Sequence, residues 1–230
     1  MQKIIWILIA SLPFSVFGQN LDPLRDSRKH FFWGIAFTGS SARMKIALDN
    51  DFFNQNPMEL KKIKPLAQAG GGFGGTVAYR FGKFWELKTQ TMLHLHQRDI
   101  EYMFTNRPKE RIKIESITFD IPVALKFRSE MPNNTRLYVL AGLRYSRDFQ
   151  SNQDLNIGVN KPIVAIKKNM FYYDYGMGFE FRLDFVDLAV EFRMSNAIND
   201  ALVRIPGSYY SGSLSSLRPR LFGISLLAQN

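Results

Sequence analysis

Residues 171–194 read FYYDYGMGFEFRLDFVDLAVEFRM and alternate in character with period two. Odd positions from Phe171 to Phe185 are aromatic or apolar, and the positions between them carry Tyr172, Asp174, Gly176, Gly178, Glu180, Arg182 and Asp184. From Val186 the phase flips, so that Val186, Leu188, Val190, Phe192 and Met194 form the apolar set. Period two is the signature of a strand whose two faces meet different surroundings; on a helix these charges would scatter around the axis. The pattern predicts two strands joined by a tight turn at Phe185–Val186.

The same alternation recurs in FFWGIAFTG (31–39), GGFGGTVAYRF (71–81), WELKTQTMLHLHQR (85–98), SITFDIPVALKFR (116–128), residues 136–148 and RLFGISLL (220–227). Eight strands result. Short connections at 82–84, 129–135 and Phe185–Val186 alternate with long ones at 40–69, 99–112, 150–170 and 196–217. Tight turns at one end and long loops at the other are the habit of outer-membrane barrels. The predicted fold is all-β, an eight-stranded antiparallel up-and-down transmembrane β-barrel over residues 31–230.

A soluble periplasmic sandwich or lipocalin-like barrel would also alternate, but its apolar face would be core and would not need aromatics at both rims. Here Phe31, Trp33, Tyr79, Phe81, Trp85, Phe127 and Phe185 fall at the tight-turn end, and Tyr145, Phe171 and Tyr173 at the long-loop end. Two such belts match the two interfaces of a bilayer.

Charge sharpens this assignment. A charge on the lipid face near the midplane costs ~2–4 kcal/mol, and the outward positions of the third to seventh strands carry none near that level. The alternate positions hold the acids Glu86, Asp120, Asp148, Asp174, Glu180, Asp184 and Glu191. They also hold the bases Arg80, Lys88, Arg98, Lys126, Arg128, Arg136, Arg144, Arg182 and Arg193. Eight strands enclose an interior about wide enough for side chains to fill, so these groups are expected to pair across the lumen as a polar plug.

Residues 1–18, MQKIIWILIASLPFSVFG, combine an early lysine, a short apolar run and compact residues before Gln19, as a secretory signal peptide does. Residues 19–30 would then be a periplasmic N-terminal segment and the mature chain an outer-membrane protein. The chain has no cysteine, which excludes disulfides and attachment of lipid through an N-terminal Cys. Its net charge of +10 suggests acidic partners. Export, and the lack of a basic helix or an aromatic platform, excludes nucleic acid.

Candidate chemistry is sparse. His94 and His96 would share the lumenal face of one strand, but no third ligand stands at a fixed spacing from them. No catalytic, cofactor-binding or metal residue is assigned and no cofactor is implied. A rim-acting lipid A-modifying enzyme using such a histidine is the alternative from another functional class. The run AGGGFGG (69–75) lacks the Lys-Ser/Thr of a phosphate loop and precedes a strand. Its glycines would instead let the strand bend or leave room beside bulky lumenal residues. Residues 57–65 suggest a helical turn or two within a basic external loop. Lys61, Lys62 and Lys64, with Arg107, Lys109, Arg111, Lys161, Lys167 and Lys168, would form an external docking surface for lipopolysaccharide phosphates or an acidic protein.

IESITFDIPVALKFRS (114–129), NNTRLYVLAGLRYSRDFQS (133–151), DYGMGFEF (174–181) and LAVEFRMSNAINDAL (188–202) carry a family likeness. In these stretches the chain resembles the PorT family, called SprT in gliding bacteria, of Bacteroidetes outer-membrane barrels. The matching positions are Glu115, Ser116, Pro122, Lys126, Asn134, Arg136, Tyr138, Gly142, Asp148, Gly176, Gly178, Glu191 and Ser195. The resemblance implies a non-enzymatic accessory role in type IX protein secretion, and in gliding motility where that occurs, with other secretion-system proteins as partners. The ending LLAQN departs from the usual apolar last residue of such barrels. A general adhesion or lipid-interacting small barrel is the nearer alternative.

Overall fold

The computed structural model describes residues 30–49, 60–131, 134–153, 164–205 and 209–230. The proposed signal peptide, the segment before His30, residues 57–59 and Lys161 lie outside the described residues. The described strands are β1 (Phe31–Leu48), β2 (Leu60–Leu66), β3 (Gln68–Phe81), β4 (Trp85–Phe104) and β5 (Glu110–Arg128). They continue with β6 (Thr135–Asp148), β7 (Asn169–Arg182), β8 (Asp187–Ala197) and β9 (Leu214–Gln229).

Eight of these strands form a ring in which each pairs antiparallel with its neighbours, in the order β1–β3–β4–β5–β6–β7–β8–β9. The ladder from Gly34↔Gln229 to Leu48↔Leu214 joins β1 to β9 and closes it. Closure removes the two open edges that a flat sheet would expose to lipid. β2 stands outside the ring and pairs with the far half of β4, Leu60↔Phe104 to Leu66↔Asp99.

The tight turns use residues suited to their backbone. Gly82, between β3 and β4, has φ +74°, and Asn134, between β5 and β6, has φ 61°. Both angles are left-handed, where glycine is unstrained and asparagine the best tolerated alternative. The β7–β8 turn is closed by the Leu183 N–H donating to the Val186 carbonyl at 3.0 Å.

Alternation decides which face is inside. β5 shows it most regularly: Phe119, Ile121, Val123, Leu125 and Phe127 point out, while Thr118, Asp120, Ala124, Lys126 and Arg128 are buried. Exposed large apolar residues cover every wall of the ring, from Phe31, Trp33 and Trp85 to Leu143, Phe171 and Phe222. An apolar surface of this extent on a closed ring belongs against lipid. Asp184 departs from the sequence expectation: the β7–β8 ladder ends at Arg182↔Asp187, so Asp184 sits exposed in the turn and faces no lumen.

Two of the connections expected to be long, 40–69 and 99–112, are largely strand among their described residues. β4 and β5 stay paired as far as Tyr102↔Glu110, and β1 stays paired with β9 to Leu48. Residues 60–66 form β2 and not the expected helical turn, because Lys62 to Leu66 find ladder partners in Asp99 to Met103. Beyond the apolar belt both faces change character. Outward positions turn polar, from Ile117 to Glu115, Lys113 and Arg111 on β5 and from Ser41 to Arg43 and Lys45 on β1. Inward positions turn apolar, with Ile100, Tyr102, Phe104, Ile112 and Ile114 joining Met44, Leu60, Ile63, Tyr210 and Leu217 in one buried cluster. The bridge Ile166↔Leu202 brings two further connections into that cap. This outer end has the polarity of a water-soluble domain, with its hydrophobic residues inside.

Val123 lies midway along the lipid-facing side of β5. Val123→Arg is expected to lower the unfolding free energy of the lipid-reconstituted barrel by ~2–4 kcal/mol, measured by equilibrium urea denaturation.

Candidate functional site

The lumen is filled by charged side chains that strands on opposite walls bring together. At the tight-turn end, Lys126 from β5 binds Glu86 of β4 at 3.2 Å and also pairs with Glu180 of β7. Arg128 lies 3.4 Å from Glu86, and Arg136 lies 3.8 Å from Glu180. The Arg80 guanidinium stacks 4.3 Å over the ring of Phe32 and stands in cross-strand register with Glu86. Half-buried Arg182 reaches Asp187 at 3.4 Å beside the β7–β8 turn.

One tier further in, Lys88 donates to Glu191 at 2.7 Å and the Tyr138 hydroxyl donates to the same carboxylate at 2.9 Å. Arg193 donates to Glu191 through Nε at 3.0 Å and, through Nη2, to the side-chain amide oxygen of Gln90 at 2.9 Å. The Lys126 ammonium sits 4.1 Å from the centroid of the Tyr138 ring, so this phenol joins the two tiers. Lys88, Lys126 and Glu191 are each at most 2% exposed. An ion buried without a partner costs several kcal/mol, so this density of charge persists only because each ion has a counter-ion within reach.

The upper tier centres on Asp120. It accepts hydrogen bonds from His94 Nδ1 at 2.8 Å, from Arg144 at 2.9 Å and from the Ser146 hydroxyl at 2.5 Å. Arg144 and Arg193 both face Asp174, at 3.6 and 3.7 Å. Arg98 donates to the Ser116 hydroxyl at 3.4 Å.

His94 and His96 stack with ring centroids 5.0 Å apart, and together with Asp120 they place potential ligand atoms within 4.8 Å of one another. Sequence spacing could not supply that third member, because Asp120 comes from a different strand. Asp120 is already occupied by three donors, one of them the Arg144 guanidinium, and both imidazoles are buried. His94 and Asp120 belong to an internal hydrogen-bonded cluster whose carboxylate is already spent, and His96 stacks on it with Nδ1 3.4 Å from the Ser40 hydroxyl, all beneath the apolar cap.

Glycines make this packing feasible. A Cβ on Gly72 would lie 2.2 Å from His94 Cδ2, and one on Gly70 3.0 Å from His96 Nδ1. The glycine run therefore leaves room for the β4 side chains, the second of the two roles its sequence suggests. Across β6 and β7, Tyr138 pairs with Gly178, and a Cβ there would approach the phenol carbon Cζ to 2.4 Å. An aromatic laid over a cross-strand glycine is a recurrent device for filling a sheet face without a clash.

The external basic residues are placed on separate elements. Lys61, Lys62 and Lys64 are exposed along β2, Arg107 and Lys109 lie in the β4–β5 turn, and Lys167 and Lys168 precede β7. Lys109 pairs with Glu101 at 3.2 Å and Arg111 pairs with Asp99, so part of that charge is neutralised locally. Period two alone did not single out Tyr138, Gln90 or Ser146 as network members. Their signal is an inward position combined with a hydroxyl or amide.

The family model for the outer membrane protein beta-barrel domain matches residues 17–203. The chain belongs to this family. It is an all-β barrel of the bacterial outer membrane, with lipid against its wall. No curated protein matches the chain. Among solved structures it is similar to the outer membrane protein OprG from Pseudomonas aeruginosa, at 13% identity over 86% of this chain and 93% of that one, with a TM-score of 0.49. It is also similar to Neisserial surface protein A, at 11% identity over 86% and 98% of the two chains, TM-score 0.46. A third is Ail of Yersinia pestis in complex with the heparin analogue sucrose octasulfate, at 11% identity over 88% and 100%, TM-score 0.38. In outer-membrane barrels the tight turns are periplasmic, which puts the apolar cap outside the cell and the Lys126 tier at the periplasmic mouth.

Glu191→Gln in this barrel is expected to cost ~3–5 kcal/mol, because Lys88 and Arg193 lose their counter-charge in a buried site. Adding Lys88→Met should recover part of that loss in urea titrations of the reconstituted protein, since one stranded charge is then gone. Gly178→Ala should destabilise by ~1–3 kcal/mol through overpacking against Tyr138. Combining it with Tyr138→Ala should give a loss smaller than the sum of the two single changes.

Proposed function

We propose that this outer-membrane barrel is a non-enzymatic, non-conducting accessory component of type IX protein secretion that acts through its external connections and its N-terminal segment. The observation that carries the proposal is the closed lumen, crossed by paired ions from periplasmic mouth to Asp120 and covered externally by an apolar cluster. A barrel filled in this way has no conduit to offer a substrate, so its work falls to its surfaces, where function concentrates on loops held by a rigid scaffold.

The resemblance to the PorT family gives the specific role. Four of the matching residues, Lys126, Tyr138, Gly178 and Glu191, meet at one point in the lumen, through the 4.1 Å cation–π contact, the 2.9 Å hydrogen bond and the cross-strand pair described above. Residues scattered over 66 positions of sequence thus act as one packing unit, which supports reading the likeness as one of structure. A lipid A-modifying enzyme would need its histidine at the membrane rim, and buried His94 and His96 do not favour it.

The test is deletion of the gene in its host, followed by fractionation of cargo proteins that bear the type IX sorting domain. Cargo is expected to accumulate inside the cell and return to the surface on complementation. Normal export in the deletion strain would refute the secretion role and leave a small barrel with a different surface task.

A further inference from the structure

The two walls of the barrel treat charge differently once they pass the apolar belt. On the β4–β5 wall, outward residues opposite one another are of opposite sign: Asp99 faces Lys113 and Glu101 faces Arg111. Their diagonals are closed by the Arg111–Asp99 and Lys109–Glu101 ion pairs. On the β1–β9 wall the register does the reverse. Arg43 lies directly opposite Arg220, and Lys45 directly opposite Arg218. Like charges facing across an antiparallel ladder are destabilising. Among the described residues, no carboxylate forms an ion pair with any of these four cations. Asp200, whose partner Leu217 precedes Arg218 on β9, accepts the backbone N–H groups of Leu202 and Leu217.

The height of this cluster is informative. Arg43 follows Phe31, at the periplasmic rim, by twelve residues of continuous strand. At about 3.3 Å per residue and a tilt of about 40°, that is a rise of about 30 Å, just beyond an apolar band roughly 25 Å tall. Phe222, opposite Ser41, is the last outward aromatic on β9, and Arg220 follows directly above it. The four cations therefore sit at the headgroup level of the outer leaflet.

The wall beside them is notched. β1 pairs with β3 only as far as Ala42↔Gln68, and above that point, among the described residues, no ladder joins β1 to β2. The gap is a groove of about 310 Å³ with Arg43, Lys45 and Arg220 at its edge and Ile46, Ile63 and Pro65 along it. Cations at this level, directly above the outward Phe37, Phe222 and Ile224 of the same wall, suit an amphiphile that carries anionic groups above acyl chains.

We infer that the β1–β9 seam of this barrel is a binding site for a phosphorylated glycolipid of the outer leaflet, with Arg43, Lys45, Arg218 and Arg220 holding its phosphate groups. The mutual repulsion of the two like-charged pairs is relieved when a phosphate lies between them, which makes the bound lipid part of the seam that closes the ring. This site is separate from the loops invoked for secretion and does not depend on that role.

The test uses the full folded barrel in detergent, verified by its heat-dependent gel mobility, and measures binding of bisphosphorylated lipid A, of lipid A with both phosphates removed, and of inorganic phosphate. The wild type should prefer the bisphosphorylated lipid. Arg43→Gln with Arg220→Gln should weaken that binding by about 30-fold, the loss expected for two membrane-proximal cations. Lys113→Gln, on the far wall, should change it less than about twofold. Without phosphorylated lipid, the R43Q/R220Q barrel should be at least as resistant to urea as the wild type, since a repulsive pair has been removed. Equal lipid A binding by wild type and R43Q/R220Q would overturn the assignment, as would equally tight binding of the dephosphorylated lipid. Displacement of the lipid by millimolar inorganic phosphate would reduce the seam to a free-anion site. A lipid-free variant less stable than the wild type would mark the four cations as structural.

Discussion

Lipid offers no hydrogen bonds, so each backbone N–H and C=O along a membrane-spanning wall has to be paired within the protein. In this chain that constraint is met by a ring of eight antiparallel strands whose first and last members, β1 and β9, share the register from Gly34↔Gln229 to Leu48↔Leu214. Closure sets the diameter, and the diameter sets what the inside can hold. Eight strands leave space for side chains and little else. With the outer face committed to lipid, the polar half of each strand is forced into that space, and its charges are stable there only in mutual contact.

The resulting lattice is specific in a way that the wall is not. Any apolar residue serves on the lipid face, whereas Glu191 needs Lys88, Arg193 and Tyr138 at bonding distance from three different strands. A register slip of one residue would turn every one of these groups into lipid. The glycines at 72 and 178 belong to the same system, because the side chains of His94 and Tyr138 occupy the volume where their Cβ atoms would stand. The lumen therefore acts as a key that fixes strand order and pairing.

Above the outer leaflet the surroundings change and the side-chain pattern changes with them. Inward positions become apolar and outward ones charged, so the barrel continues as a small water-soluble domain with its own core of Ile100, Tyr102, Ile112 and Leu217. That cap, together with the ion lattice, closes the passage through the barrel and leaves its surfaces as the working parts. The like-charged β1–β9 seam stands at the level where the two regimes meet, where lipid phosphates supply the negative charge that the protein does not.

Period-two alternation determined the fold class, the number of ring strands, the side that meets lipid and the set of charges that faces inward, because each of these follows from one strand seen alone. Asp184 was misassigned by the same logic, since alternation does not register where a ladder stops. Partners were another matter. The meeting of Asp120 with His94, Arg144 and Ser146, or of Glu191 with Lys88 and Tyr138, joins strands far apart in sequence, and only ring closure and register decide it. The strand β2 and the apolar cap were equally hidden: Leu60–Leu66 extends because β4 outruns β3 and offers it a free edge, a property of the neighbours and not of the segment. The chain itself carried the chemistry of each face, and the tertiary structure decided which groups neutralise one another and which, at Arg43, Lys45, Arg218 and Arg220, are left to be neutralised from outside.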